Sequence, residues 1–185
     1  MRILLITTSQ NAVRKTLSEL GNIDCCVIDS GDYLHGDVLE GKQSLIDSVE
    51  KEMNAHGEPD VLLTYRCPFI LPPYIYERTL LGAYNIHPSL LPKYKGLNPW
   101  RDIFHNHESI SGVTLHKITK EVDNGLIVLQ RTFDIEDSDT IESARSKADK
   151  LAAQLANDFI SNLSSKHPFV YVTVNDNAKV YQIII

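Results

Sequence analysis

The sequence predicts an α/β fold, a Rossmann-like doubly wound and mostly parallel sheet with a C-terminal β-hairpin, and three observations predict it. From Arg2 onward, apolar runs of strand length alternate with stretches of helical periodicity, the pattern of βαβ units. A chain of 185 residues that is 43% hydrophobic can bury one full core and is short for two. The tail carries two β-branched runs, Phe169 to Val174 and Lys179 to Ile185, around Asn175-Asp176-Asn177-Ala178, the signature of a hairpin. One domain over residues 1–165 with a hairpin appendage over 166–185 is the organisation expected.

The elements follow in order. Arg2 to Thr7 and Asp24 to Asp29 read as strands around a helix from Ala12 to Leu20, with Gly21 at its C-terminal cap. Gln43 to His56 reads as a helix with Leu45, Ile46, Val49 and Met53 on one face. Asp60 to Tyr65 and Gly82 to Ile86 give two more strands, and Gly112 to Ile118 and Leu126 to Phe133 another two. Asp137 and Ser138 can cap a long helix whose Ile141, Ala144, Ala148, Leu151, Leu155 and Phe159 form its core-facing stripe.

Several function classes lose support. A net charge of −6 offers no basic footprint for a nucleic acid, a single tRNA end apart. The first apolar run, Ile3 to Ile6, is far shorter than a signal sequence core or a membrane span, and a cytoplasmic protein is expected. Cys25, Cys26 and Cys67 are odd in number and lack metal-ligand spacing, so reduced thiols and no metal are expected. The turn after the first strand reads Thr8-Ser9-Gln10-Asn11-Ala12 with no glycine before Gly21, so neither the dinucleotide fingerprint nor a P-loop is present. Ser9 fits there as a plain N-cap, or as a weak phosphate contact at the helix N-terminus.

Chemistry concentrates in Asn85-Ile86-His87-Pro88-Ser89-Leu90-Leu91-Pro92-Lys93-Tyr94-Lys95-Gly96-Leu97-Asn98-Pro99. Its prolines and glycine prescribe a rigid irregular path, and it begins where a strand ends, the carboxyl edge at which open α/β sheets bind ligands. Asn85 and His87 are two apart, so an extended backbone projects both to the same side. A second stretch, Gly112-Val113-Thr114-Leu115-His116, leads to Asp123-Asn124-Gly125, a strand and a glycine-closed loop carrying one carboxylate. Each piece also has a plain structural explanation as turn formers and a hydrogen-bonded histidine.

Together these residues resemble the folate-dependent formyltransferase family, which includes glycinamide ribonucleotide, methionyl-tRNA and sugar-nucleotide N-formyltransferases. The resemblance rests on the motif from Asn85 to Gly96, on Gly112 to His116, and on Asp123 and Gly125, with Asn85 and Asp123 38 positions apart. It is strongest from Asp60 to Phe133. It implies the formyltransferase fold, transfer of a formyl group from 10-formyltetrahydrofolate to a primary amine, and a catalytic trio of Asn85, His87 and Asp123. Pro68, Phe69, Ile70 and Leu71, with Glu121 and Val122, would wall the pterin pocket. The chemistry agrees: an amine attacking the formyl carbon creates an oxyanion that needs donors aimed at it. Asn85 can donate through its amide, and Asp123 can keep His87 protonated and pass the proton to the departing nitrogen. Neither a metal nor a covalent intermediate is required.

The acceptor is narrowed by departures from the best-known relatives. The glycine-free first loop counts against glycinamide ribonucleotide. A methionyl-tRNA enzyme is expected to carry a further C-terminal domain and a basic surface, whereas this chain ends at Ile185 with negative charge. The segments Thr64 to Pro72 and Gly96 to Trp100 look more like the sugar-nucleotide branch, and an amino-sugar nucleotide is the acceptor expected. Tyr65, Arg66, Tyr94 and Trp100 could form a stacking or phosphate-binding wall, although Trp100 reads equally as a helix-start residue packed on the core. Three alternatives stand: a glycinamide ribonucleotide enzyme, a 10-formyltetrahydrofolate hydrolase that delivers water instead of amine, and a non-catalytic folate-binding module. The apolar end Ile183-Ile184-Ile185 would leave an edge able to pair with a second copy.

Overall fold

The computed structural model describes residues 1–8, 12–21 and 23–164, with the backbone alone of 170–174 and 180–184. Six strands are hydrogen-bonded in the order β2-β1-β3-β4-β5-β6, and two more form a separate pair. The chain divides into two compact units, Met1–Tyr84 and Asn85–Ile185.

The first unit holds three parallel strands. Strands β1 (Arg2–Thr7), β2 (Asp24–Asp29) and β3 (Val61–Tyr65) run parallel with β1 in the middle, Leu4 facing Cys26 on one side and Leu62 on the other. Ile3 to Ile6 and Val61 to Leu63 are fully buried, as a parallel strand covered on both faces must be. Helix α1 spans Ala12–Ser18, two residues short of the expectation. The last turn tightens through Glu19 N–H to Thr16 O at 3.2 Å, and Gly21 is not in the left-handed conformation of a C-terminal cap. Helix α2 (Val38–His56) starts five residues earlier than expected. Its apolar stripe begins only at Leu45, while Val38 and Leu39 are exposed; Asp37 makes the start, its Oδ1 accepting from Leu39 N at 2.7 Å and Glu40 N at 3.3 Å. A 3-10 turn at Ser30–Tyr33 and the short helix α3 (Pro73–Tyr76) were not expected.

Strand β4 (Gly82–His87) carries the chain from the first unit into the second, which continues through α4 (Pro99–His105), β5 (Ile110–Lys117), β6 (Ile127–Asp134) and α5 (Ile141–Ser164). β5 and β6 are antiparallel. Helix α5 lies against both, with Ala144, Ala148, Ala152 and Ala156 buried together with Leu155, Phe159 and Ile160, small residues that let helix and sheet approach closely. Its start is capped by Thr140 and Ser143 rather than by Asp137 and Ser138: Thr140 Oγ1 accepts from Ser143 N at 3.2 Å and Ser143 Oγ accepts from Thr140 N at 2.9 Å. Strands β7 (Val170–Val174) and β8 (Val180–Ile184) pair antiparallel, Val170 opposite Ile184. The expected turn at Asn175 to Ala178, the hairpin ends at Phe169, Lys179 and Ile185, and the Ser9-Gln10-Asn11 part of the first loop lie outside the described residues.

Candidate active site

The segment leaving β4 is held by the buried hydroxyls of Thr114 and Ser89 and by Gln130. Thr114 of β5 is fully buried; its Oγ1 donates to Ser89 O at 2.7 Å and accepts from Leu91 N at 3.1 Å and from Gln130 Nε2 at 2.8 Å. Gln130, on β6, also donates to Leu91 O at 2.9 Å. The Leu91–Pro92 peptide is cis, and Ser89 Oγ donates to Lys93 O at 2.8 Å. Proline supplies no N–H and the polar groups around it are satisfied by these side chains, so the irregular path is ordered by β5 and β6.

His87, the last residue of β4 and 4% exposed, faces Asp123. His87 Nδ1 stands 3.3 Å from Asp123 Oδ2, and Nε2 donates to Tyr94 O at 2.8 Å. The same Asp123 oxygen accepts from Gly96 N–H at 2.8 Å; Gly96 has φ +95°, the region a glycine enters without cost. Asp123 is itself at φ +50°, where aspartate is among the tolerated side-chain residues. Its other oxygen lies 3.4 Å from His116 Nε2, and Asn85 Nδ2 lies 3.1 Å from that same nitrogen. An amide, two imidazoles and a carboxylate thus meet at the end of β4 within the second unit.

Burial raises the affinity of the Asp123 carboxylate for a proton, but its contacts with His116, His87 and the Gly96 N–H together outweigh it and hold its pKa below the usual value. Burial dominates at His87 and pushes its pKa down, against the raising effects of Asp123 and the Tyr94 carbonyl. The two ring nitrogens of His87 face a carboxylate and a carbonyl, both acceptors, so the geometry suits the doubly protonated ring while burial opposes its charge.

A family profile described as Formyl transferase matches residues 2–160. The chain belongs to this family. Among curated proteins it is similar to the methionyl-tRNA formyltransferase of Thermotoga sp. strain RQ2, 36% identical over 105 residues, 57% of this chain and 34% of that protein. The chain spans about a third of the length of the first curated relatives it matches. Among solved structures it resembles phosphoribosylglycinamide formyltransferase from Anaplasma phagocytophilum, with TM-score 0.74 and 23% identity over 98% of this chain and 92% of that one. It also resembles a formyltetrahydrofolate deformylase from Pseudomonas syringae, with TM-score 0.76 and 21% identity over 98% of this chain and 65% of that one. These two likenesses establish the fold.

The other residues singled out from the formyltransferase resemblance are distributed as follows. In the first unit Phe69 and Leu71 are buried, Pro68 is half-buried, and Ile70 is exposed. Tyr65 is buried in β3, and Arg66 is exposed with φ +55°. In the second unit Glu121 and Val122 are exposed beside Asp123. Tyr94 is half-buried, its hydroxyl donating to Glu108 Oε1 at 2.6 Å. Trp100 is buried, its ring tilted on Phe133 with centroids 6.4 Å apart. Among the described residues no group of three or more His, Cys, Asp or Glu is placed to hold a metal ion, and no helix is long and apolar enough to cross a membrane. The three cysteines are free, with burial pushing each thiol up to about 11. His116 is the residue that sequence reasoning passed over; the signal available was its place two residues beyond Thr114 in the motif ending β5.

Proposed function

We propose that this chain transfers a formyl group from 10-formyltetrahydrofolate to a primary amine, with Asn85, His87 and Asp123 acting at the reacting atoms. The observation that carries the reading is the Asp123 carboxylate held 3.3 Å from His87 Nδ1 in a chain of the formyltransferase family. The residues present fit the folate on one count: Val122, next to Asp123, leaves 48% of its surface exposed, an apolar surface for a flat ring beside a carboxylate. The folate supplies the formyl group. Glu121, Val122 and Pro68 to Leu71 are proposed as its contacts, each from the resemblance. The catalytic domain is proposed as residues 1–165 and the hairpin as an appendage over 166–185, with the cytoplasm as the location.

The chemistry requires one proton to move. The amine nitrogen bonds to the formyl carbon, the carbonyl electrons go to oxygen, and the carbon–nitrogen bond to the folate then breaks. The amine loses one hydrogen and the folate nitrogen gains one. Asp123, a carboxylate at neutral pH, takes that hydrogen from the amine and passes it to the departing folate nitrogen, with His87 Nδ1 beside it. Asn85 has no titratable proton and serves as a hydrogen-bond donor to the oxyanion.

For the acceptor we favour an amino-sugar nucleotide, on the segments Thr64 to Pro72 and Gly96 to Trp100, with Tyr65, Arg66, Tyr94 and Trp100 proposed around it. A second reading, methionyl-tRNA, is favoured by the named activity of the curated relatives. The experiment follows tetrahydrofolate release by absorbance with no acceptor, glycinamide ribonucleotide, methionyl-tRNA and a panel of amino-sugar nucleotides. Release that depends on one amine supports transfer and names its class. Release at an equal rate without any acceptor overturns it in favour of hydrolysis, and folate binding without release overturns it in favour of a binding module.

A further inference from the structure

His116 has no part in the chemistry proposed above, yet its ring, 3% exposed, touches two residues that do. Its hydrogen bonds fix where its proton sits. Nδ1 lies 2.9 Å from the carbonyl oxygen of Lys117, and a carbonyl only accepts, so Nδ1 carries hydrogen. Nε2 then has two neighbours, Asn85 Nδ2 at 3.1 Å and Asp123 Oδ1 at 3.4 Å. The first is within ordinary hydrogen-bond range and the second beyond it. An amide nitrogen only donates, so Nε2 presents its lone pair to Asn85. Turning the Asn85 amide over would set its oxygen lone pairs against that of the imidazole.

We propose that His116 is a positioning residue for the transfer: its Nε2 lone pair holds the Asn85 amide in the orientation that puts the NH2 group on the Asp123 side. An asparagine amide has two orientations of nearly equal shape, and only one of them places donors where the oxyanion develops. The selection is built into the backbone. Lys117 N–H donates to Leu126 O at 2.9 Å, and Gly125 comes so close that a Cβ there would lie 1.7 Å from the Lys117 carbonyl oxygen. The β5–β6 register shifts between Leu115 and His116, and an irregularity of this kind re-aims the side chain that follows it. The sequence of control runs from the Gly125 loop to the Lys117 carbonyl, to the His116 tautomer, to the Asn85 amide.

This inference rests on Asn85 being the donor in formyl transfer, and two measurements decide it, one of which needs no turnover. Nitrogen-15 NMR of the full chain at neutral pH is expected to show His116 as the neutral tautomer with hydrogen on Nδ1; the opposite tautomer or an imidazolium overturns the proposal. In the transfer assay His116→Leu is expected to lower kcat about tenfold, the loss of roughly one net hydrogen bond, with KM for the folate unchanged. His116→Gln, whose amide oxygen can stand where Nε2 does, restores most of that loss. Adding His116→Leu to Asn85→Ala costs nothing further, because both act through one amide. Equal losses in the Leu and Gln variants at matched Tm, or full additivity with Asn85→Ala, overturns it. If the wild-type chain transfers no formyl group, the proposed function fails, while the tautomer still decides whether His116 can hold Asn85.

Discussion

At the scale of single residues, the site depends on two groups whose proton affinities are lowered by folding, and both make the protein acid-sensitive. His87 titrates below its unfolded value of about 6.5 because burial disfavours the charged ring, so the unfolded chain takes up its proton first and stability is lost as pH falls below that value. Asp123 titrates below its unfolded value of about 3.9 despite burial, so its contribution is complete above that value and is lost as pH falls through the folded one. Thermal melts at fixed ionic strength are expected to show Tm falling from about pH 6.5 downward, and His87→Asn to flatten the upper part of that fall. An unchanged profile in the variant contradicts this account of His87. Asp123→Asn keeps the shape and removes the proton acceptor; kcat is expected to drop by roughly 10²- to 10⁴-fold with the far-UV circular dichroism unchanged. The grouping of Asn85, His87 and Asp123 was legible through the resemblance to the formyltransferase family, carried by the motif around Asn85 and His87 and by Asp123 in its glycine-closed loop. The depth of His87 was not, since a motif does not record burial.

At the scale of elements, the loop between β5 and β6 is as important as the strands. A Cβ at Gly125 has no room beside the Lys117 carbonyl, so Gly125→Ala is expected to destabilise the protein by roughly 2–3 kcal/mol and to lower kcat beyond the effect of stability alone. Chemical denaturation with parallel assays at saturating folate checks both. Thr140→Ala, distant in function, removes the cap of α5 and is expected to cost about 1 kcal/mol with kcat unchanged, read from the denaturation midpoint at constant slope. Strand positions were legible because buried parallel strands such as Val61 to Leu63 are continuous apolar runs. Helix ends were less so. Val38 and Leu39 show no stripe because the first turn of α2 is exposed, and Asp37 became readable as a cap only once its hydrogen bonds were known. The choice of Thr140 over Asp137 for α5 is likewise made by geometry, through the reciprocal bonds between Thr140 and Ser143.

At the scale of the whole molecule, membership of the formyltransferase family was legible from the residues between Asp60 and Phe133, and the profile match over 2–160 agrees. The acceptor was not legible to the same degree. Recognition of an amine's larger partner depends on surfaces, and Tyr65 and Trp100, chosen for their chemistry, are both buried. The β8 edge is proposed to pair with a second copy; light scattering at micromolar concentration is expected to give twice the mass of 20.8 kDa, and a monomeric mass removes that proposal. The central claim, formyl transfer at Asn85, His87 and Asp123, is tested most directly by following carbon-13 from labelled 10-formyltetrahydrofolate into the acceptor amine, with wild type and Asn85→Ala side by side. The account predicts a formamide signal on one acceptor for wild type and its near-complete loss in the variant. Label that appears only as formate, or that reaches the amine equally well without Asn85, would contradict it.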